Sequence, residues 1–289
     1  MSKLPERIAI ICGNGAFPYE IAGLLQSKGV HVHLLGIEGE AQPQITRFPH
    51  TMLEWEKIGA LFRTLKRDDI QDAVLVGGIS QRPDLKLMKL DWGAWRTLPD
   101  ILRIMLSGDN SALTGAIEIF EKRGVRIRGL AELVPEILVK PGANSKKRPV
   151  KRDLERIAHG AEVIGVLGPY DIGQGAVVFG KRVVAVEGVE GTDAMLQRVA
   201  DLKSQGRLPD VTGGVLVKRL KPGQDMRADL PAIGPQTITN LIDAKLSGVD
   251  VEAGKSIIGR REETLMRANE AEIFVYGFSD DEFGGSHRV

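Results

Sequence analysis

The chain has 289 residues, 43% hydrophobic and 27% charged, with a net charge of +1. At roughly 100–200 residues per domain, that length implies about two domains, each able to bury a core. The near-neutral balance excludes a global field for nucleic acid or an anionic membrane, so any anion site must be local; the single cysteine, Cys12, excludes an internal disulfide and fits a reducing compartment.

The N-terminus MSKLPERIAIICGNG lacks the layout of a signal peptide. No apolar run approaches the roughly 20 residues that span a bilayer. The expectation is a soluble cytoplasmic protein, at most peripheral to a membrane. Arg7 to Ile11 reads as a buried strand, CGNGAFP as the turn after it, and the following helix ends at Lys28-Gly29, with Gly29 as its C-terminal cap. VHVHLLG is the next strand. Ile58, Leu61, Phe62 and Leu65 repeat at helical spacing, and AVLVGG is a third strand closed by Gly77 and Gly78. Asp109, Asn110 and Ser111 offer N-caps before ALTGAIEIFEKRG, and VRIRG starts another strand. Strands alternating with helices predict an α/β fold with a parallel sheet.

Residues 141–153, within KPGANSKKRPVKRD, are basic and poor in apolar side chains, and read as a linker. They divide an N-terminal α/β domain, 1–140, from a C-terminal α/β domain, 154–278; residues 279–289 read as a frayed tail. The second half opens with the helix RDLERIAHGAEVIG. Strands follow at AVVF, RVVAVEG and GVLVKRL, with the helix TDAMLQRVADLKSQG between the last two. TITNLIDAKLSG is a helix with Thr237 as cap and Gly248 as stop, and VDVEAG and EIFVYGF are further strands.

Several motifs are weighed and set aside. In CGNGAFP, Gly13 and Gly15 let the backbone approach an anion, but Pro18 replaces the third glycine of a dinucleotide fingerprint and no acid follows at the ribose spacing. A nicotinamide-dependent dehydrogenase therefore loses support. GVDVEAGKS has the wrong spacing and context for a P-loop. His31 and His33 share a strand face without a third ligand, and Cys12 reads as a small core residue.

Two strand ends carry more. In VEGVEGTDAM, Glu187 and Glu190 precede Gly191-Thr192-Asp193 at a helix start, where ligands gather in open α/β sheets, although Thr192 could serve only as a cap. In KPGQDMRADLPAIGPQT, Asp225 and Asp229 suit a hard divalent cation, Lys218, Lys221 and Arg227 suit phosphate oxygens, and Pro222, Pro231 and Pro235 reduce the entropy lost in fixing them. Acid, base and stiff turns together fit metal-assisted phosphoryl chemistry.

GNGAFP, GIEGEA, VGGIS, VVAVEGVEGTDAML and KPGQDMRADLPAIGPQTI occur in this order, and together they resemble the LpxI-type UDP-2,3-diacylglucosamine pyrophosphatases of lipid A biosynthesis over nearly the whole chain. The resemblance implies hydrolysis of UDP-2,3-diacylglucosamine to UMP and 2,3-diacylglucosamine 1-phosphate (lipid X). It also implies a divalent cation, Mg²⁺, and an active site in a cleft between a Rossmann-like domain and a distinct C-terminal domain. Asp225 takes the place of the family's key acid in KPGQDxRxDLP. On this basis Asp225, Lys218 and Lys221 are the catalytic candidates, and Asp225, Asp193 and Glu190 the metal ligands. Gly13, Asn14, Gly15, Gly78, Ser80, Asp109, Asn110, Gly191 and Thr192 are the candidates for substrate contact. Peripheral contact with the inner membrane and a homodimer are expected, with no nucleic-acid partner; the tail after Phe278 has no counterpart. The alternative is a carrier or sensor that binds a sugar nucleotide or lipid without turnover.

Overall fold

The computed structural model describes residues 3–54, 58–78, 109–170, 172–221, 224–227 and 230–279. The chain folds as two compact units, Met1–Pro135 with Asp225–Asp229, and Glu136–Gln224 with Leu230–Val289. The second half thus lends a short loop segment to the first unit.

In the first unit, β1 (Arg7–Cys12), β2 (His31–Ile37), β3 (His50–Leu53), β4 (Asp72–Val76) and β5 (Arg126–Ile127) form a sheet ordered β3-β2-β1-β4-β5. Every pair is parallel. β1 is buried from Ile8 to Cys12, as a central parallel strand covered on both faces must be. The helices α1 (Phe17–Ser27), α2 (Ile58–Arg67) and α3 (Asp109–Glu121) connect the strands. Leu61 and Leu65 of α2 and Ile117 and Phe120 of α3 pack with Ile11 and Leu35 of the sheet. Gly29 stops α1 as expected: its φ is +81°, and its N–H donates to Gln26 O (2.9 Å).

β3 is absent from the sequence reading, which makes AVLVGG the third strand rather than the fourth. The four-residue HTML run is too short to show alternation, and pairing with β2 is what makes it a strand.

The second unit is built on a mixed sheet ordered β6-β13-β11-β9-β7-β8. Its strands are β6 (Gly142–Ala143), β7 (Gly175–Phe179), β8 (Arg182–Val186), β9 (Val215–Lys218), β11 (Gly248–Glu252) and β13 (Phe274–Phe278). β9, β11 and β13 are parallel, whereas β7 runs antiparallel to both its neighbours and β6 antiparallel to β13. β10 (Ala232–Ile233) and β12 (Ile257–Ile258) make a separate two-stranded ladder. Helix α4 (Lys151–Leu167) buries Ile157 and Ile164 against Val215 and Val217. Leu216, one residue out of phase, faces α5 (Gly191–Ser204) and α6 (Pro235–Asp243) through Met195, Leu196 and Ile238, with α7 (Arg261–Glu270) beyond them.

Within residues 141–153, Gly142 and Ala143 form edge strand β6, and Lys146 N–H donates to Asn269 Oδ1 (2.7 Å). Two cap assignments are corrected. Gly234, not Thr237, precedes α6; Thr237 sits three residues in, and its hydroxyl accepts the Gly234 N–H (3.2 Å). Gly248 opens β11 instead of stopping α6, and Lys245 takes the left-handed position (φ +47°). The first shift follows from Pro235, whose fixed φ suits the first helical position. From residue 280 the tail lies outside the described residues. No helix among the described residues is long and apolar enough to cross a membrane.

Candidate active site

The order of the first sheet reverses between β1 and β4, and ligands of open α/β sheets bind at such a reversal, beyond the strand ends. Gly13, Asn14, Gly15 and Gly78 come together there. Gly13 N–H donates to Val76 O (2.9 Å), Asn14 N–H to Gly78 O (2.7 Å) and Gly15 N–H to Asn14 Oδ1 (2.6 Å). A Cβ on Gly13 would stand 2.3 Å from Gly78 O, and one on Gly77 (φ +94°) 2.6 Å from Asn14 O. The two turns therefore meet backbone to backbone, which only glycine allows. Gly13→Ala should lower stability by roughly 1–3 kcal/mol through overpacking, read as a lower melting midpoint. Gly23→Ala, on α1 with open space around it, should leave the midpoint unchanged or slightly raised.

Asp109 and Asn110 stand in the first turn of α3. Ser80 lies outside the described residues. Cys12 is buried, and desolvation pushes its thiol up to about 12, so it stays protonated and packs as a core residue. His33 shares a hydrogen bond with Thr51 Oγ1 (3.0 Å), and burial lowers its pKa; among the described residues no metal-ligating group forms around it.

The second cluster sits where β8 and β9 end and α5 begins. Thr192 does not cap α5: the residue before the helix is Glu190, and it makes no side-chain cap. Thr192 Oγ1 instead lies 2.9 Å from Glu187 Oε1 and 2.8 Å from Lys218 Nζ. Lys218 Nζ also donates to Ala232 O (3.3 Å). Lys218 and Glu187 are 4% and 7% exposed, so two opposite charges are buried with one hydroxyl between them. Gly173 and Gly175 make room for Glu187: a Cβ on Gly175 would stand 2.6 Å from its Oε2. Gly191 turns the chain into α5 with φ +80°.

Next along β9, Arg219 Nη2 lies 2.5 Å from Oδ2 of the fully buried Asp250 on β11. Its Nη1 donates to Lys218 O (2.9 Å), and its guanidinium covers the Phe278 ring at 4.8 Å.

The loop after β9 carries Asp225 into the first unit. Arg227 donates to Asp225 from its backbone N–H (2.9 Å), Nε (3.1 Å) and Nη2 (2.7 Å), and from Nη1 to Glu121 Oε1 on α3 (2.6 Å). These bonds hold the Asp225 carboxyl below its usual value. Lys221 closes a turn at the loop's start, its N–H donating to Gln224 Oε1 (3.1 Å). Pro222 and Asp229 lie outside the described residues.

The three acids expected to hold a metal have separate partners. Asp225 is on Arg227, Glu190 accepts from Arg198 (3.1 Å), and Asp193 accepts from Asn240 (2.7 Å). Among the described residues no group of three His, Cys, Asp or Glu is placed to hold a metal ion. A magnesium site needs no such group, because it can be made of one carboxylate, waters and substrate phosphate oxygens. Asp225, ionised and part-buried, fits that donor set.

Glu187, noted at its strand end but given no role, and Asp250 are not among the site candidates read from the sequence. Each could have been found from an acid next to or inside a β-branched strand run, RVVAVE and GVDVE, since a buried acid needs a partner.

A Rossmann-type parallel sheet and a distinct mixed-sheet unit define a two-unit α/β protein. The models of the LpxI N-terminal domain and LpxI C-terminal domain match residues 7–137 and 140–276. The UDP-2,3-diacylglucosamine pyrophosphatase LpxI of Caulobacter vibrioides is 33% identical over 283 residues, covering 96% of this chain and 99% of that protein. The chain belongs to the LpxI family.

Proposed function

We propose that the chain hydrolyses the diphosphate of UDP-2,3-diacylglucosamine to UMP and 2,3-diacylglucosamine 1-phosphate in lipid A biosynthesis. Kinship with a pyrophosphatase of that name supports the substrate. The observation that carries the chemistry is Lys218: its buried ammonium meets the Thr192 hydroxyl in the first turn of α5. An ammonium held at a helix N-terminus suits the oxygens of a diphosphate.

Hydrolysis adds water across the anhydride: the water oxygen bonds to one phosphorus, and the bridging oxygen leaves with the other. Lys218 offsets the charge on the diphosphate, and Lys221 adds to that field from the start of the loop. Asp225 holds the cation or orients the water. Mg²⁺, when bound, supplies charge neutralisation and Lewis acidity at the phosphoryl oxygens. The reading places the protein in the cytoplasm, touching the inner membrane only peripherally, where its acylated substrate lies.

The test is UMP release from UDP-2,3-diacylglucosamine with Mg²⁺ and with chelator. Turnover that disappears on chelation and returns with Mg²⁺ is the expected result. Binding without turnover would instead indicate a carrier.

A further inference from the structure

We propose that Glu187 positions the Lys218 ammonium, acting through the Thr192 hydroxyl. The proposal rests on reading Lys218 as the cation offered to the diphosphate. The direction of the hydrogen bonds is forced by chemistry. An ammonium has only donors, so at 2.8 Å the Thr192 oxygen must accept from Nζ. The hydroxyl has a single proton, and Glu187 Oε1 at 2.9 Å takes it, because an ionised carboxylate only accepts. The chain therefore runs from Nζ through Oγ1 to Oε1, and its far end is a buried acid.

Two further observations set Glu187 apart from a packing residue. Its Oε2 is buried and has no hydrogen-bond partner among the described residues, so the fold leaves one acceptor of this acid unsatisfied. Its place is cleared by glycine: a Cβ on Gly173 would stand 2.0 Å from Glu187 O, and one on Gly175 2.6 Å from Oε2. The β-branched Thr192 is stiff about χ1, so the relay transmits direction from the acid to the ammonium. Ala232 O supplies a second fixed point on Nζ. With two of its three N–H groups committed, the ammonium has its third direction defined.

The experiment uses the full chain and two readouts. The first is the side-chain ¹⁵Nζ resonance of Lys218, assigned by its loss in Lys218→Met and recorded without substrate. A held, buried ammonium gives a protected signal. The signal should persist in wild type, Thr192→Ser and Glu187→Gln, whose amide oxygen still accepts the hydroxyl. It should broaden or vanish in Thr192→Val and Glu187→Leu. The second is steady-state turnover: Thr192→Val and Glu187→Leu should each lower kcat by about 10- to 100-fold with KM within about threefold. The double variant should be no worse than either single one. Thr192→Ser should recover most of kcat.

An unchanged Lys218 resonance in Glu187→Leu and Thr192→Val overturns the proposal, whatever the activity. So does wild-type kcat in those variants when Lys218→Met is inactive. If the wild type releases no UMP, the functional reading fails, and the resonance alone still decides whether Glu187 holds Lys218.

Discussion

Asp225→Ala should cut UMP release by roughly 10²–10³-fold, the scale set by removing a charge aimed at the reacting phosphoryl group, while the fold stays intact. The structural cost is small because Asp225 is paired with Arg227, whose side chain is 40% exposed and keeps Glu121 as a second partner. Asp225→Asn separates charge from shape. Its amide oxygen can still accept from Arg227, but it no longer offers a full negative charge to a cation or a water. It should be nearly as slow as Asp225→Ala. Turnover of Asp225→Asn within threefold of wild type would remove Asp225 from the chemistry.

The protonation state of Asp225 gives the same assignment a pH signature. The hydrogen bonds from Arg227 depress its folded pKa below 3.8. A depressed carboxyl stabilises the fold above its unfolded value, and that contribution is lost as the pH falls through the lower folded value. Between about pH 5 and pH 8 Asp225 is therefore ionised, and any limb of the rate profile in that window belongs to another group. Arg227→Ala should let the carboxyl return toward its usual value, still below that window. The shape of the profile should be unchanged when rates are measured across it.

Asp250→Ala is expected to have the largest effect on stability, a loss of about 3–5 kcal/mol. Asp250 is fully enclosed on β11, and removing it leaves the Arg219 guanidinium charged inside the second unit. The remaining contacts of Arg219, Lys218 O and the Phe278 ring, do not neutralise it. The melting midpoint should drop by about 10 °C for a unit of this size. Asp243→Ala, at an exposed position on α6, is the control and should move it little. A midpoint for Asp250→Ala within 2 °C of wild type, read by calorimetry, would show that the pair contributes no net stability.

Much of the first unit was legible in the sequence. Continuous apolar runs such as Ile8–Cys12 identify buried parallel strands, and Gly29 identifies a helix end. β3 was not legible: four residues carry no period, and hydrogen bonds to β2 define it. The strand ends holding the candidate site were legible too, because glycines and charges there interrupt apolar runs. The pairings at those ends were not. Lys203 and Lys218 look alike in sequence. Yet Lys203 Nζ donates to the carbonyls of Val211 and Lys245 (both 2.9 Å), while Lys218 Nζ donates to Ala232 O and to the Thr192 hydroxyl, which in turn meets Glu187.

By itself the sequence determined that two α/β units exist and which loops concentrate acid, base and proline. These are local properties, set by side-chain period, backbone freedom and charge along the chain. Only the tertiary structure decided that Thr192 bridges Glu187 and Lys218, that Asp250 neutralises Arg219, and that Asp225 sits in the grip of Arg227 within the first unit. The reason is physical. The first two of these pairings join different elements of the fold, at separations set by strand order and helix packing. Burial then turns a weak attraction between charges into a requirement for a partner, and only the fold determines which side chains are buried together.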